Sequence, residues 1–302
     1  MKCLVTGGAG FIGSNLALEL EKQGHDTIVV DNLLTGKKDN LKGFKGKFLN
    51  IDVSMPFDID EKLDVIFHEA AITDPRFEDD DETLRANLEG FKNIIELAEK
   101  NNAKLIYAST ANLYGNGKIP MREEQEKELI CTYGKSKLVI DELAEKYFGK
   151  IQIVGLRYFN VFGPRETNKG RAASMVYHLS KQMKNDKNPR IFKQGEQIRD
   201  HIYVKDVVMA TIKALNAKSG VYNVGTGIGT SFNELVKELN AVLGKDLEVE
   251  YFDNPYDAST YQSNTQADTT LAEKELKFRA EYLLKDGIKE YMEWLKENEA
   301  FE

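Results

Sequence analysis

The sequence is short of the residues that would make it secreted, fibrous or nucleic-acid-binding. Only two cysteines occur, Cys3 and Cys131, and their separation suits neither a metal pair nor a redox pair. A reducing compartment is therefore expected. Six prolines in 302 residues exclude a proline-rich linker, and the 23 glycines follow no triplet period. Positive charge is also scarce: 41 Lys and Arg against 49 Asp and Glu give a net charge of −8. With no basic excess to neutralise phosphates, a nucleic-acid partner is not expected. A local site for a small anionic ligand stays open.

No apolar run approaches the ~20 residues of a membrane helix, so no membrane partner is expected. The opening MKCLVTGGAG reaches its glycines before a signal-peptide core could form, which makes the cytoplasm the expected location. The four histidines are widely separated, so no metal site is expected. No repeat of 20–50 residues is visible.

What is present is an alternation of strand and helix signals. Apolar content of 41% and charged content of 30% suit a globular chain of one large or two ordinary domains. Short apolar runs at Cys3–Thr6, Thr27–Val30, Lys47–Asn50, Val65–His68, Lys104–Ser109 and Gln152–Arg157 read as strands. Helical faces lie between them at Phe11–Glu21, about Glu82–Asn101 and Tyr133–Phe148. This is the pattern of a parallel sheet covered on both faces. Later segments read as helices at Ala172–Lys184, His201–Leu215 and Leu284–Lys296, with a strand at Val221–Val224. The expected fold is α/β, a Rossmann-type doubly wound parallel sheet with a smaller α/β substrate-binding domain. Residues 1–163 plus 199–226 would form the first unit and 164–198 plus 227–302 the second.

Thr6-Gly-Gly-Ala-Gly-Phe-Ile-Gly13 lies between the first strand and the first helix. Gly7, Gly10 and Gly13 would permit a tight turn and close backbone approach to a pyrophosphate, with the helix N-terminus facing its charge. Asp31 ends the second strand, 18 residues beyond Gly13, where a carboxylate can accept from ribose hydroxyls. Strand, helix and acid together point to a dinucleotide. Gly225-Thr-Gly-Ile-Gly229 also sits between a strand and a helix, but no acid-ended strand follows, so it reads as a structural turn before a Ser231/Glu234 capping box.

Tyrosine and lysine four residues apart occur three times, as Tyr114/Lys118, Tyr133/Lys137 and Tyr177/Lys181. Gly115 and Gly117 interrupt the first pair, and the third lies past the domain border. Only Tyr133/Lys137 opens a helix soon after a hydroxyl-bearing strand end, Ser109-Thr110. A phenol near pKa 10 is a poor base at neutral pH. A cation about 4 Å away at an effective dielectric of ~20 is worth roughly 4 kcal/mol, about three pKa units. Lys137 and an oxidised nicotinamide together would bring Tyr133 near neutrality, with Thr110 bonding the substrate oxygen.

TGGAGFIG, Asp31, YAST ending at Thr110 and YGKSK resemble the extended short-chain dehydrogenase/reductase family, in its nucleotide-sugar epimerase and dehydratase branch. RYFNVFGPR (157–165), RDHIYVKDVV (199–208) and YNVGTG (222–227) extend the resemblance over nearly the whole chain. FHEAA (67–71), RETNKGRAASMVYHL (165–179) and YQSNTQAD (261–268) look most like the ADP-glycero-manno-heptose 6-epimerases. The resemblance implies Tyr133, Lys137 and Thr110 as the catalytic set, with Lys169 as a second acid/base. It implies cofactor contacts at Phe11, Ile12, Asp31, Asn32, Lys38, Ala70, Ala71, Asn87 and Val161. Substrate contacts would fall at Asn160, His178, Phe192, Arg199 and Tyr261, with Arg171 a further cation near the sugar. Arg171 departs from the small hydroxyl residue common in that branch, and Ile72-Thr73-Asp74 replaces a serine-rich stretch.

The activity so implied is transient oxidation and re-reduction of a sugar carbon on tightly bound NAD or NADP, with no net redox change. Asp31 favours NAD by repelling a 2′-phosphate, while Lys37, Lys38 and the resemblance favour NADP. A homo-oligomer, dimer or larger, is expected to pair through the helices at 82–101 and 133–148. UDP-glucose/UDP-galactose 4-epimerase shares every superfamily motif and is the competing reading. A 4,6-dehydratase would need an acidic pair after the hydroxyl residue, where this chain has Thr110-Ala-Asn-Leu. A non-catalytic dinucleotide-binding sensor is the third reading.

Overall fold

The computed structural model describes residues 1–74, 79–255 and 261–298, so parts of the expected 227–302 unit lie outside the described residues. Its first half runs β1 (Lys2–Thr6), α1 (Phe11–Lys22), β2 (Asp26–Val30), β3 (Lys47–Leu49), β4 (Val65–His68), α2 (Asp80–Asn101), β5 (Lys104–Thr110), α3 (Thr132–Glu145) and β6 (Ile153–Tyr158). Then follow β7 (Asn160–Phe162), α4 (Met175–Lys184), β8 (Arg190–Phe192), β9 (Ile198–Arg199), β10 (His201–Tyr203), α5 (Val204–Lys213) and β11 (Gly220–Val224). The tail adds β12 (Thr230–Ser231), α6 (Phe232–Leu243), β13 (Glu250–Phe252) and α7 (Leu284–Glu297).

Seven strands form one parallel sheet in the order β3–β2–β1–β4–β5–β6–β11. Winding reverses between β1 and β4, so a crevice opens above the carboxyl ends of those two strands. Alternate residues feed opposite faces. Cys3 and Val5 of β1 join Leu16, Val29, Phe67, Leu156 and Val207 in the layer shared with α1 and α5. Leu4 joins Ile28, Ile66, Phe91, Ile94 and Ile140 in the layer shared with α2 and α3. Each such side chain contributes about 1.5–3 kcal/mol through burial, which is why a one-residue slip of a strand is excluded.

A separate core joins α4, α6 and α7 through Val176, Leu179, Leu235, Leu239, Ile288 and Leu295. Phe11 of α1 belongs to that core, so the smaller unit abuts the glycine turn. Ala272, Leu276 and Phe278, which the sequence places in the smaller unit, pack instead into the layer beside α5. No described helix is long and apolar enough to cross a membrane.

Three sequence expectations change. His201–Leu215 divides into β10 and α5, because His201–Tyr203 pairs in parallel with β7 and tertiary pairing overrides the helical period. The helix expected from Ala172 begins at Met175, where the Ser174 hydroxyl caps it by accepting the Tyr177 amide at 3.2 Å. Residues 167–172 form a short 3₁₀ turn kinked at Gly170. The helix read as far as Phe148 stops at Glu145.

Candidate active site

The turn after β1 is shaped by glycines that nothing else could replace. Gly7 takes a φ of +64°, and a Cβ there would lie 2.6 Å from the Ala70 amide nitrogen. A Cβ on Gly13 would lie 2.3 Å from the Gly7 carbonyl. Gly10 is the N-cap of α1 and offers no side chain to the first-turn amides, which therefore remain available to an anion. Gly7, Gly10, Phe11, Ile12 and Gly13 all line a cleft of about 880 Å³.

Asp31 closes one end of this cleft. Its Oδ2 accepts the Ala9 amide at 2.9 Å and its Oδ1 the Leu33 amide at 2.7 Å. Burial pushes its carboxyl up, against those two bonds. Asn32 also lines the cleft and donates to Asp52 at 3.2 Å. Lys38 is not among the cleft-lining residues: its ammonium lies 4.9 Å from the centre of the Phe48 ring. Exposed aromatic surface is an alternative that sequence spacing does not reveal.

Ala70 and Ala71, after β4, form the opposite wall. Asn87 lines it too, but its amide chiefly clamps the backbone, accepting the Ile72 amide at 2.8 Å and donating to the Ile72 carbonyl at 3.1 Å. Val161 completes the expected cofactor lining.

Thr110 ends β5, and Tyr133 and Lys137 stand one turn apart on α3, so strand end and helix face bring all three to the same wall. Lys137 is 1% exposed, and its ammonium donates to the Ala108 carbonyl at 2.7 Å. Burial pulls it down to about 8, with Glu69 and Asp141 holding it up. Burial likewise pushes the Tyr133 phenol above its ordinary range, and the Thr110 hydroxyl bond opposes this. Desolvation is the largest influence on the phenol and outweighs the Thr110 bond; the approach to neutrality is expected from Lys137 and an oxidised nicotinamide together.

Lys169 approaches from the other side, on the 167–172 turn. Its ammonium lies 5.5 Å from the Phe11 ring, at the glycine turn. Burial lowers its pKa, while Glu166 and Asp74 raise it. Asn160, His178, Phe192, Arg199 and Tyr261 also line the cleft. Phe192 meets Phe252 at 4.9 Å and Tyr261 at 5.7 Å, both edge-on, which forms an aromatic box suited to a planar base. Arg199 stands beside it, 5.4 Å from the Tyr261 ring, and donates to the Ser263 carbonyl at 2.8 Å. Arg171 does not reach the lining and pairs instead with Asp74 at 2.9 Å. The two departures noted in the sequence thus face each other across the cleft mouth.

Sequence reasoning missed several contributors. Glu69 lines the cleft beside Lys137, and its place in FHEAA was the available signal. Asp141 stands one turn beyond Lys137 and accepts from Tyr107 at 3.0 Å, Ser109 at 3.1 Å and Arg157 at 3.0 Å. A charged residue inside the apolar β6 run was the signal for that buried network. Asp200 holds the Thr226 and Gly227 amides at 2.8 and 2.9 Å, which gives the second glycine cluster its structural role.

Comparison with known proteins bears directly on these walls. An ADP-L-glycero-D-manno-heptose-6-epimerase of Brachyspira hyodysenteriae is 37% identical over 99% of both chains. A putative UDP-glucose 4-epimerase of Methanocaldococcus jannaschii is 36% identical over 98% of both. The crystal structure of the Helicobacter pylori ADP-L-glycero-D-manno-heptose-6-epimerase superposes with a TM-score of 0.91 at 37% identity, covering 98% of this chain and 96% of that one. The NAD dependent epimerase/dehydratase family model matches residues 3–225, a span holding the glycine turn, Asp31, Thr110, Tyr133 and Lys137. By this match and these full-length relatives, the chain belongs to the NAD dependent epimerase/dehydratase family.

Proposed function

We propose that this enzyme is a nucleotide-sugar epimerase that inverts a carbon of ADP-glycero-manno-heptose. The observation that carries the reading is the pairing across one cleft of Thr110, Tyr133 and Lys137 on the sheet side with Lys169 on the other. The glycine cradle, which any Cβ would fill, and the anchored Asp31 fit NAD. Bound NAD supplies reversible two-electron oxidation at the sugar carbon.

The protein's own groups handle protons and orientation. Tyr133, polarised by Thr110 and by Lys137, takes the proton of the sugar hydroxyl and returns it. Lys169, its ammonium weakened by burial, serves the opposite face of the transient carbonyl compound. Phe192, Phe252 and Tyr261 hold the base, and Arg199 balances the diphosphate. The sheet unit thus carries the cofactor, and the smaller unit built around α4, α6 and α7 selects the sugar.

NAD is favoured over NADP, because Asp31 has its carboxylate fixed by two amides and Lys38 is engaged with Phe48. Tight retention of the cofactor and pairing of subunits through α2 and α3 belong to the same proposal. The second reading, a UDP-glucose 4-epimerase, draws on the 36% identical relative and on the Asp74–Arg171 pair at the sugar end.

Proton NMR of the purified enzyme with each nucleotide sugar separates the readings. An epimer from ADP-glycero-manno-heptose supports the first, and conversion of UDP-glucose alone supports the second. Retained NAD with turnover of neither would make the protein a dinucleotide sensor.

A further inference from the structure

The segment that carries Lys169 is fastened to the glycine turn, and Arg165 makes the fastening. Its Nε donates to the Asn40 carbonyl at 3.0 Å and its Nη1 to Asn15 Oδ1 at 2.8 Å. These partners stand 125 and 150 residues away in sequence, so neither bond belongs to a local turn. Asn15 lies on α1 one turn beyond Phe11, and its Nδ2 donates to the Phe11 and Pro164 carbonyls, each at 2.9 Å. Asn40 Nδ2 donates to the Ala9 carbonyl at 3.0 Å. Each prong of the guanidinium thus ends on a residue whose side chain is bonded to the Ala9–Phe11 turn.

The segment itself is closed by its next residue. Glu166, fully buried, accepts the Gly163 amide at 3.0 Å and the Ser174 hydroxyl at 2.8 Å through Oε1, and the Ser174 amide at 2.6 Å through Oε2. One carboxylate therefore joins both ends of the stretch 163–174, and the Lys169 amide bonds to the Glu166 carbonyl at 2.9 Å. A shift at Arg165 is passed on to Lys169 rather than absorbed between them. The Lys169 ammonium meets the Phe11 ring at 5.5 Å, so its head and the root of its segment both rest on the start of α1. Arg165 also holds a left-handed φ of +74°. A glycine would take that backbone without steric cost but would forfeit both donors. A lysine would offer a point charge in place of the planar fork.

We propose that Arg165, with Asn15 as its partner, is a positioning residue that sets Lys169 at a fixed place relative to the glycine turn. The inference rests on the acid/base reading of Lys169 above. Inversion needs proton transfer on both faces of one sugar carbon. Tyr133 reaches the cleft from α3, which packs on the same sheet that carries the turn. Lys169 comes from outside that sheet, and the Arg165 fork supplies the tie that keeps its distance. A misplacement of about 1 Å at such a group can cost ~100-fold in rate.

The test compares Arg165→Met, Asn15→Ala and Lys169→Ala with the wild-type enzyme as purified. In the first two, kcat for ADP-glycero-manno-heptose is expected to fall by about 10- to 100-fold, with KM and retained NAD within a few-fold of wild type. In a Lys169→Ala background, Arg165→Met should cost nothing further, because the group it positions is gone. Amine-directed acetylation, read peptide by peptide by mass spectrometry, should mark Lys169 several-fold faster in Arg165→Met and Asn15→Ala than in wild type. A residue that only stabilises the fold would lower Tm and leave both the kcat of the folded enzyme and the labelling of Lys169 unchanged. That result, or a full additional loss in the Lys169→Ala background, overturns the proposal. If Arg165→Met does not fold, Asn15→Ala, which removes one prong and the bond to Pro164, carries the comparison. Full activity in Lys169→Ala would sink the acid/base reading of Lys169, whereas the labelling still reports whether Arg165 holds the segment, so the two failures are distinguishable.

Discussion

Tyr133 is half-buried, hydrogen-bonded to Thr110, and its phenol is pushed above the ordinary tyrosine range by desolvation. In the proposed mechanism its role as a base draws on positive charge beside it, from Lys137 and from an oxidised nicotinamide. Tyr133→Phe is expected to lower kcat by about 10²- to 10⁴-fold, with KM within a few-fold of wild type, in steady-state assays. Equal losses in binding would assign the hydroxyl to substrate affinity instead. His201 gives a stability prediction at the same scale. It is 5% exposed, neither ring nitrogen has a protein partner, and burial with the Arg199 charge pulls it down to about 3 from 6.5. Below pH 6.5 the unfolded chain takes up a proton that the native state refuses, so stability is lost as pH falls from 6.5 toward 3. His201→Phe removes that penalty. Relative to wild type it should gain about 2 kcal/mol between pH 7.5 and pH 5 in urea unfolding. A constant difference across that range would place a charged imidazole in the native state.

At the scale of elements, the site is a meeting of strand ends with one helix. Behind that helix, Asp141 of α3 pairs with Arg157 of β6 at 2.9 Å, both nearly fully buried. Asp141→Asn breaks a buried pair and should cost about 3–5 kcal/mol, visible as a large drop in Tm. The Asp74–Arg171 pair is different, because Arg171 is 58% exposed. Asp74→Asn should change stability by less than about 1 kcal/mol and register in KM for the nucleotide sugar, since it lines the cleft mouth. A KM equal to wild type would remove this pair from sugar selection.

These contrasts mark what a sequence can show. The glycine turn, Asp31 and Tyr133/Lys137 were legible because each is written within one turn, one strand end or one helix face. Asp141 shares Lys137's face and was legible in principle. Its partner Arg157, and the 97-residue gap between Asp74 and Arg171, depend on how distant segments meet, which local spacing does not encode. For the same reason β10 was read as helix: its pairing with β7 is long-range. The place of Lys38 beside Phe48 was likewise not legible, since that contact joins residues ten apart across a loop.

For the whole molecule, the sheet that carries the glycine turn faces a smaller core that abuts that turn through Phe11. A ligand spanning both should stabilise them together. NAD at 100 times its Kd is expected to add about 2.7 kcal/mol to unfolding, read as a rise in Tm. The central claim, however, is chemical: the hydrogen leaving the sugar carbon is held on the cofactor and returned to the same carbon. Turnover of ADP-glycero-manno-heptose in D₂O, followed by NMR and mass spectrometry, tests this most directly. The account predicts an inverted carbon that carries no deuterium; deuterium at that carbon would mean that inversion proceeds by proton exchange with solvent, and would contradict it.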